Sequence, residues 1–188
     1  MFESGLECFH LKKPQWTKQA TIQFLEAVPS RYLNRIVLHQ HFELSVKYGL
    51  MGIHISRRNK YKNFLQRLYA RYLKFRLPSL KISTTFRRLT RLKFFNDLYD
   101  YVFLGPVYDE NSSQKGRIRF GREEVYHALL ESQYRVFAFG GVAYNKIDTI
   151  VNCGFEGIAW SNFVWKSENP LKAFRSLKHR EIPMKMVS

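Results

Sequence analysis

Short apolar runs recur along the chain, and the stretches between them repeat apolar residues every three or four positions. Runs of the first kind read as buried strands and stretches of the second kind as amphipathic helices. LECFHL from Leu6 predicts a strand, and Lys12, Lys13 and Pro14 loop out of it to Thr17, which can cap the helix TKQATIQFLEAV. RIVLH from Arg35 predicts a second strand, followed by a helix around Glu43 to Lys47 that Gly49 ends. GIHIS from Gly52 leads into a helix ended near Pro78, and KIST from Lys81 into a helix through Leu89 to Leu98. YVFL from Tyr101, a polar loop (DENSSQKGR), a helix starting near Gly121, and RVFAF from Arg135 follow. A helix from Asn145 to Asn152, GIAW from Gly157, and a last helix from about Pro170 to Leu177 complete the order.

Strand and helix thus alternate seven times with short loops, which is the pattern of a parallel sheet with helical crossovers. No GxGxxG follows any strand, so an α/β barrel of the (β/α)8 (TIM) type is expected rather than a dinucleotide-binding sheet. Such a barrel needs one more strand. MFESGLECFHL begins where a first helix would be finishing, so the first strand and most of the first helix are expected to be missing. Either the chain is an N-terminally incomplete version of a longer protein, or the gap is closed by another element, such as the long basic helix or a second subunit. An uncovered barrel edge would favour self-association into a homo-oligomer.

The 188 residues suit one domain, 1–188, and a 45% hydrophobic, 16% aromatic composition excludes a disordered chain. Cys8 and Cys153 lie far apart, match no metal spacing and read as reduced core thiols. No run is long enough to span a bilayer and the N-terminus lacks the order of a signal peptide, so a cytoplasmic protein is expected. A net charge of +16 favours anionic partners. That charge is concentrated: no acidic residue occurs between Glu43 and Asp97, and Arg57, Arg58, Lys60, Lys62, Arg67, Arg71, Lys74 and Arg76 crowd one predicted helix. Phe64, Leu65, Leu68, Tyr72 and Phe75 share a face of it. The expected arrangement is a solvated helix whose apolar stripe packs on the domain, with nucleic-acid or membrane-surface binding as the alternative.

Three strands end in glycine or small residues, in YVFLGP, RVFAFGGV and GFEGIAWSN. Glycine at a strand end lets backbone N–H groups approach an anion, and a following helix N-terminus adds favourable dipole, although Gly140-Gly141 alone equally suits a tight turn. The histidines His10, His39, His41 and His54 show no ligand spacing and read as core or loop residues.

In order and spacing, GLECFHLKKP, RIVLHQHFELSVKYGLMGIHIS, KISTTFR, DYVFLGPVYD, VFAFGGV and GFEGIAWSNFVW resemble the thiamine-phosphate synthase and TenI-like family, particularly its short Bacteroidetes-type members. The resemblance implies a TIM barrel that joins a hydroxymethylpyrimidine diphosphate to a thiazole phosphate, giving thiamine phosphate and releasing pyrophosphate with Mg2+ assisting departure. The family's Gln-x-Arg-x-Lys diphosphate motif on its second strand falls on His10, Lys12 and Pro14, with Lys13 in reach of the lysine's place. His10 and His39 would stand on the pyrimidine side. The family's two metal aspartates fall on Gln40 and Asn59, so amides replace both carboxylates. Thr85 takes the place of a serine after the fifth strand. Ser112, Ser113 and Lys115 offer the hydroxyls and lysine of the loop after the sixth strand, with one extra residue. Gly141, Ser161 and Asn162 match the thiazole-phosphate site.

The leading expectation is a synthase, a transferase acting on small phosphorylated substrates. The alternative is a TenI-like or degenerate protein that binds thiazole phosphate without coupling, with His10 the candidate for TenI-type isomerisation. A third reading is a non-enzymatic nucleic-acid or anion binder that uses the basic helix.

Overall fold

Each short apolar run becomes a strand because it is covered on both faces, as parallel barrel strands are. In the computed structural model these are β1 (Cys8–Leu11), β2 (Ile36–Leu38), β3 (Gly52–Ile55), β4 (Lys81–Phe86), β5 (Tyr101–Leu104), β6 (Arg135–Phe139) and β7 (Gly157–Trp160). An eighth, β8 (Lys185–Val187), completes a closed barrel in the order β1 to β8. The structure describes residues 1–56, 60–108, 119–177 and 185–187, with 60–63 and 185–187 given by their backbone.

The helices are α1 (Lys18–Ala27), α2 (Glu43–Lys47), α3 (Lys60–Arg76), α4 (Arg122–Leu130), α5 (Ile147–Asn152), α6 (Asn162–Trp165) and α7 (Pro170–Ser176). Thr17 caps α1 as expected, its Oγ1 accepting from the Ala20 N–H at 3.1 Å. Asn169 does the same for α7, accepting from the Lys172 N–H at 2.9 Å. Among the described residues no helix is long and apolar enough to cross a membrane.

Three expectations are corrected. The first concerns what closes the barrel. Only a 3-10 turn, Phe2–Ser4, precedes β1, yet the barrel is closed: β8 lies parallel between β7 and β1, with Ala159 paired to Met186 and Cys8 paired to Met186 on the other side. Without it the edges of β1 and β7 would leave backbone N–H and C=O groups unpaired. The closing element is therefore the C-terminal strand, not the basic helix or a second subunit, and the open edge that would favour self-association is absent.

The second concerns residues 89–98. They form one 3-10 turn, Leu89–Arg91, followed by irregular chain, because Asn96 Oδ1 captures the Leu98 N–H at 3.0 Å and Phe94 and Phe95 face solvent instead of continuing an apolar stripe.

The third concerns α3. Its apolar stripe points outward: Phe64, Leu65, Leu68, Tyr72 and Phe75 are exposed, Phe75 to 84%. Ala70 and Leu73, on the opposite face, make the contact with the core. A period of 3.6 identifies a helical face but not which face is covered, and here the smaller, more aliphatic one is.

Candidate active site

Side chains alternate between the barrel axis and the helical layer. Cys8, Val37, Tyr101, Phe103, Phe137 and Ala159 form the inner cluster, whereas their strand neighbours pack outward beneath the helices. The same inward parity carries His10 on β1, His39 just beyond β2, His54 on β3, and Ser83 and Thr85 on β4. The interior is therefore divided. One wall, from β1 to β4, is imidazole and hydroxyl; the other, from β5 to β7, is aromatic and apolar.

The polar wall is a connected network. His10 Nδ1 lies 3.1 Å from His39 Nε2, and the Tyr101 hydroxyl lies 2.9 Å from His10 Nε2. His54 has Ser83 Oγ at 2.9 Å from Nδ1 and Thr85 Oγ1 at 3.1 Å from Nε2. The His39 and His54 rings stack with centroids 4.3 Å apart, and Phe103 borders both His10 and His54, at 4.9 and 5.5 Å. Burial holds His10 and His39 well below the ordinary histidine range, with neighbouring imidazoles adding to the effect. It takes His54 down to about 3, assisted by the Lys12 charge. All three are neutral at physiological pH. Burial also pushes the Cys8 thiol up to about 12 and the Tyr101 phenol well above its usual value, so neither ionises there.

His10 and His54 are core residues and His41 is a loop residue, as expected, but the barrel brings three of the histidines together. His10, His39 and His54 each offer a nitrogen, and the three atoms lie within 4.8 Å of one another. His41 is apart from them, in the left-handed region at φ 55°, with Nε2 3.3 Å from the Trp16 carbonyl. Linear spacing hid the group because its members come from successive strands. The available signal was parity: each histidine occupies an inward position near the end of its strand.

Lys12 and Lys13 are exposed just beyond β1, on the C-terminal rim where barrel active sites lie. Lys12 is close enough to His39 and His54 to disfavour their protonation, and Lys13 reaches over the Trp16 ring at 5.7 Å. Thr85 joins the histidine group through His54.

Gly140 and Gly141, ending β6, have φ of 85° and 70°. A Cβ on Gly141 would sit 2.5 Å from the Tyr108 carbonyl oxygen, and one on Gly140 2.8 Å from Pro106 Cβ, so both the conformation and the close approach require glycine. The register Phe139 to Ala159 brings Ser161, which precedes α6, to the neighbouring strand end. Gly141, Ser161 and Asn162 therefore share one sector of the rim. Ser112, Ser113, Lys115 and Asn59 lie outside the described residues.

Among the described residues the site does not fit magnesium. Gln40, in the place of one family aspartate, spends its amide nitrogen on the Lys13 carbonyl at 2.6 Å and the Trp16 carbonyl at 3.1 Å, bracing the loop after β1. Magnesium takes hard oxygen ligands and is bound through carboxylates. Among the described residues the only group of three metal-ligating side chains is the histidine trio.

A cleft of about 180 Å³ lies outside the barrel, lined by Arg67, Arg91, Phe94, Phe95 and Tyr99. None of the histidine group lines it.

Comparison with known proteins gives a concordant result. The family model for thiamine monophosphate synthase matches residues 1–164. A thiamine-phosphate synthase of Lactococcus lactis subsp. cremoris (strain MG1363) is 26% identical over 81 residues, 43% of this chain and 37% of that protein. The match thus spans little more than a third of that relative's length. The thiamine-phosphate synthase of Thermus thermophilus (strain ATCC BAA-163) is 23% identical over 182 residues, 94% of this chain and 83% of that one. Among solved structures, thiamine phosphate pyrophosphorylase from Bacteroides thetaiotaomicron superposes with a TM-score of 0.70 at 25% identity, covering 94% of this chain and 85% of that chain.

Proposed function

Because the chain belongs to the thiamine monophosphate synthase family, we propose that it couples a hydroxymethylpyrimidine diphosphate to a thiazole phosphate, giving thiamine phosphate and pyrophosphate. The bond from the pyrimidine methyl carbon to the diphosphate oxygen breaks, its electrons leave with pyrophosphate, and the thiazole nitrogen lone pair forms the new C–N bond. The barrier lies in separating a cationic carbon from an anionic leaving group, so fixed positive charge at the rim is worth more than a general base.

The observation that carries this reading is the family match over residues 1–164, and the Gly140-Gly141 turn beside Ser161 at the rim agrees with it. A phosphate held in that sector would present the thiazole towards the barrel axis. Across the mouth, the pyrimidine would lie over His39, the part-exposed member of the histidine wall, with Lys12 and Lys13 at the diphosphate. Thr85 and Lys115 are the further diphosphate ligands, and Ser112, Ser113 and Asn162 the further thiazole-phosphate ligands, in this proposal.

The test is product formation from both substrates, with and without added magnesium. Thiamine phosphate should accumulate, and Lys12→Ala, at an exposed position, should lower the rate at least tenfold while the fold is kept. Product no greater than in a protein-free control overturns the coupling reaction. Retained thiazole-phosphate binding in that case would establish the TenI-like alternative.

The outward aromatic and basic face of α3 supports a second, separable reading, affinity for nucleic acid. Cationic side chains would meet phosphates and the exposed rings would stack on bases. Binding to single-stranded oligonucleotide should weaken steeply with salt and be lost on Tyr72→Ala with Phe75→Ala. Salt-independent or absent binding rejects it.

A further inference from the structure

We propose that His10, His39 and His54 form a binding site for a single borderline divalent transition-metal ion of the zinc type, at the inner end of the barrel mouth. One imidazole comes from each of β1, the end of β2 and β3, so three consecutive strands fix their directions. A tetrahedral ion at about 2.0–2.1 Å from each nitrogen requires nitrogens roughly 3.3–3.4 Å apart. His10 Nδ1 and His39 Nε2 are 3.1 Å apart, and the third ligand atom lies within 4.8 Å of the others; with Ser83 kept on Nδ1, His54 would bind through Nε2 and exchange its Thr85 hydroxyl contact for the ion.

The donor set selects the ion. Three nitrogens without a carboxylate suit zinc, cobalt, nickel or copper and leave magnesium and calcium poorly served.

Hydrogen bonding alone does not satisfy the group. Between His10 and His39 one nitrogen donates and the other accepts, so only one of the two facing lone pairs is used, and an ion would engage both. An outer layer is already in place: the Tyr101 hydroxyl holds His10 from its far nitrogen, and Ser83 holds His54. Hydroxyl or carbonyl partners on the distal nitrogen are what orient metal-binding imidazoles. His39, the half-buried member, faces the mouth, which leaves a fourth position open to water or to a substrate atom. The charge facing the site is Lys12, and it opposes a cation.

This inference goes beyond the coupling reaction and is read without either substrate. The experiment titrates Co2+ into the full-length, chelator-treated protein. The expected result is the intense visible d–d absorption of tetrahedral cobalt at one ion per chain, displaced by Zn2+ and untouched by Mg2+. His39→Ala and His54→Gln should each weaken binding at least tenfold. Lys12→Met, at an exposed position, should strengthen it, a gain that misfolding cannot produce. Absence of tetrahedral absorption in the unsubstituted protein overturns the site, as does binding indifferent to all three substitutions. A chain that couples its substrates yet binds no cobalt refutes this inference and leaves the proposed function standing. One that binds cobalt without coupling does the reverse.

Discussion

His54 has both ring nitrogens occupied, by Ser83 and Thr85, and almost no exposed surface, so protonating it means charging a group inside the barrel. This has a measurable consequence. With the folded-state value at about 3 and an ordinary value of 6.5, the unfolded chain binds the proton more readily throughout that interval. The contribution to stability is complete above pH 6.5 and is lost as pH falls towards 3, by about 1.4 kcal/mol per pH unit at its steepest. His10 and His39 are shifted the same way and steepen the slope. Urea denaturation at pH 7, 6, 5 and 4 should therefore show a falling midpoint, with a shallower fall in His54→Gln. A midpoint independent of pH would show that the rings are not held neutral by burial. Much at this scale was beyond sequence reading. The positions of Lys12, Lys13, Gly141 and Ser161 just beyond strand ends are legible along the chain, whereas the histidine group requires three strands to be laid side by side.

Among the elements, α3 separates what periodicity can and cannot decide. The helix itself, Lys60–Arg76, was legible from apolar spacing and Pro78. The direction of its face was not, because Ala70 and Leu73 carry too little apolar bulk to outweigh the aromatic stripe opposite. The structure predicts a sharp contrast. Leu73→Ala, at 4% exposure, should cost about 2–5 kcal/mol. Phe75→Ser, fully outward, should change stability by less than about 0.5 kcal/mol. Chemical denaturation of the two variants decides it, and equal losses would mean that the stripe is covered in solution. Residues 89–98 make the complementary point: hydrophobic spacing suggested a helix, and one Asn96 side chain bonded to the Leu98 backbone was enough to favour a turn.

At the level of the molecule, strand and helix alternation was sufficient to identify the barrel and to place seven strands in order. The eighth was missed because KMV is short, follows a basic segment and has no apolar pattern to distinguish it from a tail. Deleting residues 185–188 exposes the edges of β1 and β7 together. The truncated chain should lose several kcal/mol, at about 0.5–1.5 kcal/mol per lost hydrogen bond, and should self-associate through the opened edges. Gel filtration and denaturation test this, and a stable monomeric truncation would mean that β8 is dispensable. The same strand also sets a folding order. β1 is made before β8, and Cys8 pairs with Met186, so the sheet from β1 to β7 can form before β8 arrives to close it. Ring closure is a contact of large sequence separation, which carries a large loop-closure entropy. Barrel completion is therefore expected as the late, slow event of folding.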